Sequence, residues 1–311
     1  MGKYILKRVL IALATLFVIL FVLFLMLELM PGSPFNDEKI TEAQRAILNA
    51  KYGLDDPFII RFFNYAKNML QGDFGVSYVI NKNYAVSDMV LARLIITVRI
   101  GLQAMLLGSV IGLVLGIVAA LKHNSWIDTL CSAISILGVS VPSYVFALGL
   151  AYFVGFKLGW FPILYNGSEP AASTVLPTIA LSLFTIANVA RFTRSEMIEV
   201  LNSEYIQLVQ SKGIKNWKML LRHAIRNTLI PVVTVMGPLL VGLLTGSMVI
   251  EKIFAIPGIG SLMVTAIQSN DYNVVITCGF IYSALFVVTM LIIDVLYGII
   301  DPRVRVAKGK S

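Results

Sequence analysis

The chain has 311 residues, of which 58% are hydrophobic and only 14% charged. Soluble domains run nearer about 45–50% apolar and about 25% charged, so this composition excludes an ordinary soluble domain and predicts an all-α polytopic membrane protein. The net charge of +8 would suggest nucleic acid in a soluble protein; in a membrane chain it reads as basic residues sorted across a bilayer, with lipid and not nucleic acid as the partner.

Residues 9–27 form an uncharged apolar run preceded by Lys3, Lys7 and Arg8. The run is longer than the apolar region of a signal peptide, and it ends in Glu28-Leu29-Met30-Pro31 without a small-residue cleavage site. It predicts an uncleaved transmembrane helix over about residues 9–30. A polar region follows, to residue 96. Thr41-Glu42-Ala43-Gln44 has capping-box spacing and opens a short helix ending near Gly53. Asp56-Pro57 opens a second, with Pro57 in its first turn, Phe58, Phe62, Phe63, Tyr65 and Met69 along it, and Gly72 as its stop. A third amphipathic piece starts at Ser87 and carries Met89, Val90 and Leu94. Residues 1–96 therefore read as one helix plus an extracytoplasmic, mainly helical cap whose aromatics rest on the membrane interface. The competing reading is a dedicated ligand-binding module.

Five more spans are expected at about 97–121, 132–156, 174–195, 230–250 and 274–299. Gly108, Gly112 and Gly116 recur every fourth position in the first of these, which lets a neighbouring helix approach closely. Ser140, Pro142, Ser143 and Tyr144 sit at a proline that can kink the next. Thr178, Ser182, Thr185 and Asn188 share one face of the span after that. Such a stripe either lines a hydrated path, to which Ser140 and Tyr144 would also belong, or joins helices. Cys131 and Cys278 lie in apolar runs without metal or redox spacing, and His123 and His223 are isolated. No metal site or bound cofactor is expected.

The short loops set the orientation. With the N-terminus inside, the inner segments hold Lys3, Lys7, Arg8, Lys122, the basic residues from Arg191 to Arg226, and Arg303, Arg305, Lys308 and Lys310, against Lys157 and Lys252 outside. Both termini and residues 196–229 are then cytoplasmic. Met197, Leu201, Tyr205 and Leu208 at helical spacing predict that the helix of the fourth span continues, and Gly213 supplies a stop. Asn216 is a good N-cap, followed by an apolar face of Trp217, Leu220, Leu221 and Ala224, and a basic face of Lys218, Arg222 and Arg226. Pro231 resets the chain into the fifth span. This basic amphipathic helix suits an anionic lipid surface or a groove on a soluble partner.

The set Tyr205, Lys212-Gly213, His223, Arg226-Asn227 and Pro231 resembles the cytoplasmic signature of permease subunits of bacterial ATP-binding-cassette importers. Further segments resemble the peptide-importing branch of that family. They are Glu251-Lys252-Ile253-Phe254-Ala255-Ile256-Pro257-Gly258-Ile259-Gly260 with Asp271-Tyr272, then Asp294, Tyr297 and Asp301-Pro302-Arg303-Val304-Arg305, and near the start Met30-Pro31-Gly32, Tyr52-Gly53-Leu54-Asp55 and Gly72-Asp73-Phe74-Gly75. The likeness covers nearly the whole chain and is greatest to the B-type permease of oligopeptide importers, with dipeptide permeases next and nickel importers in the same branch. Many importers carry Glu-Ala-Ala six residues before the glycine, where this chain has Gln207-Leu208-Val209. The resemblance implies the type I importer permease fold, with a core over residues 97–304 and a cytoplasmic tail over 305–311. It implies pairing with a second, homologous permease, two ATP-binding subunits inside, which carry the ATP and Mg, and a peptide-binding protein outside. It also implies that Tyr205, Lys212, Gly213, Trp217, Leu220, Leu221, His223, Arg226 and Asn227 couple the chain to the ATPase, with Glu251, Phe254, Pro257, Gly258, Gly260 and Asp271 as an extracytoplasmic motif.

The chain itself is expected to hydrolyse nothing. It has no G-x-x-x-x-G-K-[ST] run, and its two histidines form no nucleophile system with serine and aspartate. Two other classes were open: an ion-coupled secondary transporter, for which Glu28 and Asp294 are the nearest ionisable candidates, and a membrane scaffold without a pore.

Overall fold

The computed structural model describes residues 2–29, 41, 43–44, 47, 50, 53, 55–244 and 248–300, with side chains from residue 5 to residue 295. Met30-Pro31-Gly32, Tyr52, Leu54, residues 245–247 and the C-terminal 301–311 lie outside the described residues, as does the side chain of Tyr297. The helices are α1 (Gly2–Glu28), α2 (Phe58–Leu70), α3 (Val86–Leu121), α4 (Trp126–Ser140), α5 (Ser143–Leu150), α6 (Pro170–Ser173), α7 (Val175–Leu201), α8 (Glu204–Ser211), α9 (Asn216–Leu244), α10 (Met248–Ile253), α11 (Ile259–Ser269) and α12 (Tyr272–Ile300). Among the described residues the β pairing is a single antiparallel bridge, Val76 to Ala85. Among the described residues five helices are long and apolar enough to cross a membrane, or six if Trp126–Ser140 and Ser143–Lys157 form one span bent by 103°. The bend falls at Val141-Pro142, where proline has no N–H to give the helix.

The chain divides into two compact units: Met1–Thr97 with Pro257–Val295, and Val98–Ile256 with Leu296–Ser311. In the first unit, Thr41 and Gln44 form the expected reciprocal cap, the Thr41 N–H on Gln44 Oε1 at 3.0 Å and the Gln44 N–H on Thr41 Oγ1 at 3.3 Å. The aromatics of α2 do not simply rest on an interface. Phe58 and Phe62 interlock with Phe17, Phe21 and Phe24 of α1 at centroid separations of 5.2 to 5.9 Å. Burial of a ring such as Phe62 stabilises by about 1.5–3 kcal/mol, whereas Phe63 stays exposed. Arg61 pairs with Glu28, Arg8 reaches Asp294 at 2.7 Å, and the Tyr65 hydroxyl lies 3.1 Å from Thr277 Oγ1. Burial pushes the Tyr65 phenol above its ordinary pKa.

The amphipathic piece expected after Ser87 is not separate. It is the first part of α3, a 36-residue helix that runs on without a break past residue 97. At 1.5 Å per residue that is about 54 Å, well beyond an apolar core of about 30 Å. Its first turns bury Val86, Met89 and Val90 against Ile259, Leu262 and Ala266 of α11 and Val274 and Cys278 of α12.

In the second unit α3 and α7 approach to backbone distance. A Cβ added at Gly108 would lie 2.7 Å from Thr185 Cβ, one at Gly112 2.8 Å from Val189 Cβ, and one at Gly116 2.6 Å from both the Ala190 carbonyl and Thr193 Cβ. Gly138 brings α4 against α7 in the same way, at Ala187, and Gly101 brings α3 against the Leu243 carbonyl of α9. Helix α9 also departs from expectation at Pro231. The helix continues through Pro231 and Pro238 to Leu244, as neighbouring groups in a membrane protein can satisfy the carbonyls that proline leaves unbonded.

These contacts predict opposite outcomes at two glycines. Gly108→Val should lower stability by about 1–3 kcal/mol through overpacking, while Gly149→Ala, where nothing lies within 4 Å of the added carbon, should leave it unchanged or raised. Thermal unfolding of the purified chain in detergent distinguishes them.

Candidate functional site

The segment expected to couple to an ATPase comprises the end of α7, all of α8 and the start of α9. Helix α7 ends at Leu201, so Tyr205 and Leu208 do not continue it as their spacing suggested; they belong to α8, which restarts after Ser203. Ile206 of α8 is fully buried and packs with Met197 of α7, Met219 and Ala224 of α9 and Ala120 of α3. Thr228 adds a polar tie, its hydroxyl 3.2 Å from the Met197 sulfur and 3.0 Å from the Ala224 carbonyl. Asn227 Nδ2 donates to the Tyr205 hydroxyl at 2.7 Å, which fixes α9 to α8.

The turn between these helices depends on Gly213, at φ +73°. Nothing lies within 4 Å of a Cβ placed there, so backbone conformation and not space calls for glycine. The helix that follows has Lys215 at its N-cap, one residue before the expected Asn216. It then widens into a π turn over Leu220–Ala224.

That widening splits the apolar face read from sequence. Ala224 is buried in the cluster around Ile206 and Leu220 is half-buried against it. Trp217 and Leu221 remain exposed at 58% and 57%, and Leu208, which the coupling set did not include, is exposed at 58%. The outer surface is therefore Tyr205, Leu208, Trp217 and Leu221. Lys212, Lys215, Lys218, Arg222, Arg226 and Asn227 are also exposed, His223 is half-buried, and the Lys218 amine lies 5.5 Å from the centroid of the Trp217 ring. The surface combines apolar anchors with positive charge.

The stripe on α7 proves to be mostly helix-joining. Thr178, Ser182 and Thr185 are buried. Thr178 lies 3.3 Å from Gln103 Oε1 of α3, Ser182 donates to the Ile179 carbonyl at 2.9 Å, and Thr185 fills the notch at Gly108. All three are thus engaged within the helix bundle. Asn188 is half-buried and turned toward the open side, bonded to the Phe184 carbonyl at 2.8 Å and to Arg191 at 3.4 Å. Ser140 and Tyr144 are exposed on either side of the 103° bend.

The motif expected on the extracytoplasmic side has residues in both units. Glu251 and Phe254 are buried in the second, where the Phe254 carbonyl accepts from the Tyr165 N–H at 2.8 Å. Pro257, Gly258 and Gly260 belong to the first, where Gly258 caps α11 and the Ile259 N–H donates to Thr97 Oγ1 at 3.0 Å. Asp271 is fully buried, and its carboxylate accepts from Ser77 Oγ at 2.5 Å and from the N–H groups of Tyr78, Val79 and Ile80 at 3.1, 3.0 and 3.0 Å. It pins the turn over 77–80 to the start of α12.

A charged cluster was missed. His123, isolated in sequence, lies 3.2 Å from Asp128 Oδ2 and 3.2 Å from Arg194 Nη2, and Arg194 grips Asp128 through Nε at 2.6 Å and Nη2 at 2.8 Å. The available signal was an aspartate three residues after the capping Ser125 and an arginine near the C-terminal end of α7.

Residues 112–306 match the family described as binding-protein-dependent transport system inner membrane component. Over 98% of its length the chain is 43% identical to the whole of a dipeptide transport system permease protein of Lactococcus lactis subsp. cremoris. Over 98% it is also 40% identical to the whole of an oligopeptide transport system permease protein of Escherichia coli. Its fold is similar to that of a solved methionine ABC transporter in inward-facing conformations, at TM-score 0.57 and 16% identity over 68% of this chain and 96% of that one. An amino acid ABC transporter crystallised with histidines gives TM-score 0.55 and 15% identity over 68% and 93%.

The burial pattern separates support from surface. Ile206→Ala should destabilise the chain by about 2–4 kcal/mol through the cavity it leaves, whereas Leu221→Asp should leave thermal unfolding in detergent within about 0.5 kcal/mol of the parent.

Proposed function

The chain belongs to the binding-protein-dependent transport system inner membrane component family, and from that we propose that it is the pore-forming permease subunit of an ATP-driven peptide importer. The observation that carries the peptide assignment is identity near 40% over essentially full length to permeases named for oligopeptide and dipeptide transport. Oligopeptides are the proposed cargo. Dipeptides are the second reading, favoured by the 43% identity to the dipeptide permease.

Both termini are placed in the cytoplasm on the distribution of lysine and arginine. Partner subunits bind and hydrolyse ATP; a second, homologous permease completes the pore and an external binding protein delivers peptide. The surface of Tyr205, Leu208, Trp217 and Leu221 docks in a cleft of one ATPase subunit, where each fully buried apolar side chain stabilises by about 1.5–3 kcal/mol. Lys212, Lys215, Lys218, Arg222 and Arg226 steer the approach of an acidic rim. Closure of the ATPase dimer pushes on α8, and the push enters α7 and α9 through Ile206, Met197 and Met219. Ser140, Tyr144 and Asn188 are the remaining candidates for the translocation path. Ion-coupled secondary transport is the weaker reading, because Glu28 and Asp294 are each engaged by an arginine, Arg61 and Arg8.

Two variants test the coupling surface. Gly213→Pro cannot adopt the positive φ of the turn, and Trp217→Asp puts a charge into the cleft. Each should leave membrane insertion intact and lower peptide uptake by the assembled importer at least about tenfold. Normal uptake by well-expressed Gly213→Pro and Trp217→Asp chains would refute the assignment.

A further inference from the structure

Asp128 lies in the first turn of α4 and is only 4% exposed. Its carboxylate accepts both Arg194 donors, the Asn124 N–H at 3.0 Å, and a long contact from Ser132 Oγ at 3.5 Å. His123 completes the group at 3.2 Å. The 122–125 loop is thereby folded back onto the start of α4, with Ser125 Oγ accepting from the Asp128 N–H at 3.4 Å. A two-point guanidinium–carboxylate bond resists both separation and rotation, unlike the apolar contacts around it, which are non-directional.

The position of this pair connects two parts of the second unit. Arg194 is one helical turn from Met197, the residue on which Ile206, Met219 and Ala224 of the coupling segment rest. Asp128 starts a rigid 15-residue helix that contacts α7 again at Gly138 and then ends at the 103° bend before α5. Any tilt of the cytoplasmic end of α7 is therefore handed to α4 at its first turn, and α4 can turn only about its far end, at Val141-Pro142.

We propose that Asp128 and Arg194 are positioning residues of the transport cycle, forming the link through which motion of the coupling segment reaches the bent span; this rests on the permease reading above. The link makes the coupling segment, α7 and α4 move as one lever, with the hinge at Pro142.

The test uses the whole importer reconstituted in vesicles, carrying Asp128→Asn, Arg194→Gln or both. Removing one partner strands a buried charge, whereas neutralising both is better tolerated, so the double variant separates coupling from folding. Three quantities are read: ATP hydrolysis, peptide uptake per ATP, and the nucleotide-driven mobility change of a spin label at Phe156→Cys, on the far arm of the bend. Cys131 and Cys278 are buried and leave that label specific. The double variant is expected to assemble and hydrolyse ATP at near the parent rate, with uptake per ATP lower by about tenfold and the label no longer responding. Parental uptake per ATP and label response in the double variant would overturn the proposal. Failure of all three variants to assemble would overturn it too, by making the pair a folding element. If the parent complex takes up no peptide, the permease reading fails on its own account, and the label response still decides the link.

Discussion

The close approach of α3 and α7 is the constraint on which the second unit depends. In lipid the apolar effect gives two helices little reason to associate, and packing between small residues has to supply it. Gly108, Gly112 and Gly116 open a groove along α3, and Thr185, Val189 and Thr193 fill it in equal steps of four. Each contact is already at or inside van der Waals distance for a Cβ, so no other residue fits at the glycines without moving a backbone. Gly138 repeats the device for α4 against α7, and Gly101 brings α3 against α9, so within the second unit α7 is the post against which α3 and α4 are set.

On that post stands a segment with two distinct faces. Inward, Ile206, Met219, Ala224 and Leu220 form an apolar seat on Met197 and Ala120. Outward, Leu208, Trp217 and Leu221 are left open among lysines and arginines. A docking surface works mechanically only when its support is stiffer than its contact with the partner. Under the proposed docking, the buried seat, the Asn227–Tyr205 hydrogen bond and the Asp128–Arg194 pair would supply that stiffness. The first unit shows the same economy at Asp271, where one carboxylate holds a serine hydroxyl and three successive backbone amides.

Much of this was legible in the residues. The spans follow from hydropathy, the Thr41–Gln44 cap from its spacing, the stop at Gly213 from the freedom of glycine, and the bend from Pro142. What was not legible involved either phase or distance. Leu220, Leu221 and Ala224 were read as sharing a face because a 3.6-residue period was assumed; the π turn over Leu220–Ala224 holds more residues per turn, so the phase lags and Ala224 comes to the buried side with Met219 while Leu221 stays exposed. The stripe of Thr178, Ser182 and Thr185 was ambiguous because the deciding partners, Gln103 and Gly108, lie on another helix about 75 residues away. His123 looked isolated for the same reason, since Arg194 is 71 positions distant. Pro231 was given a break that local chemistry favours, whereas the helix runs through it.

The central claim is that the exposed crest of α8 and the start of α9 meets the ATPase directly, and not lipid. A photo-crosslinking amino acid at Trp217 in the assembled importer tests it most directly. The account predicts a crosslink to an ATP-binding subunit that changes in yield between nucleotide-free and ATP-bound states. Crosslinks confined to lipid, unchanged by nucleotide, would contradict it.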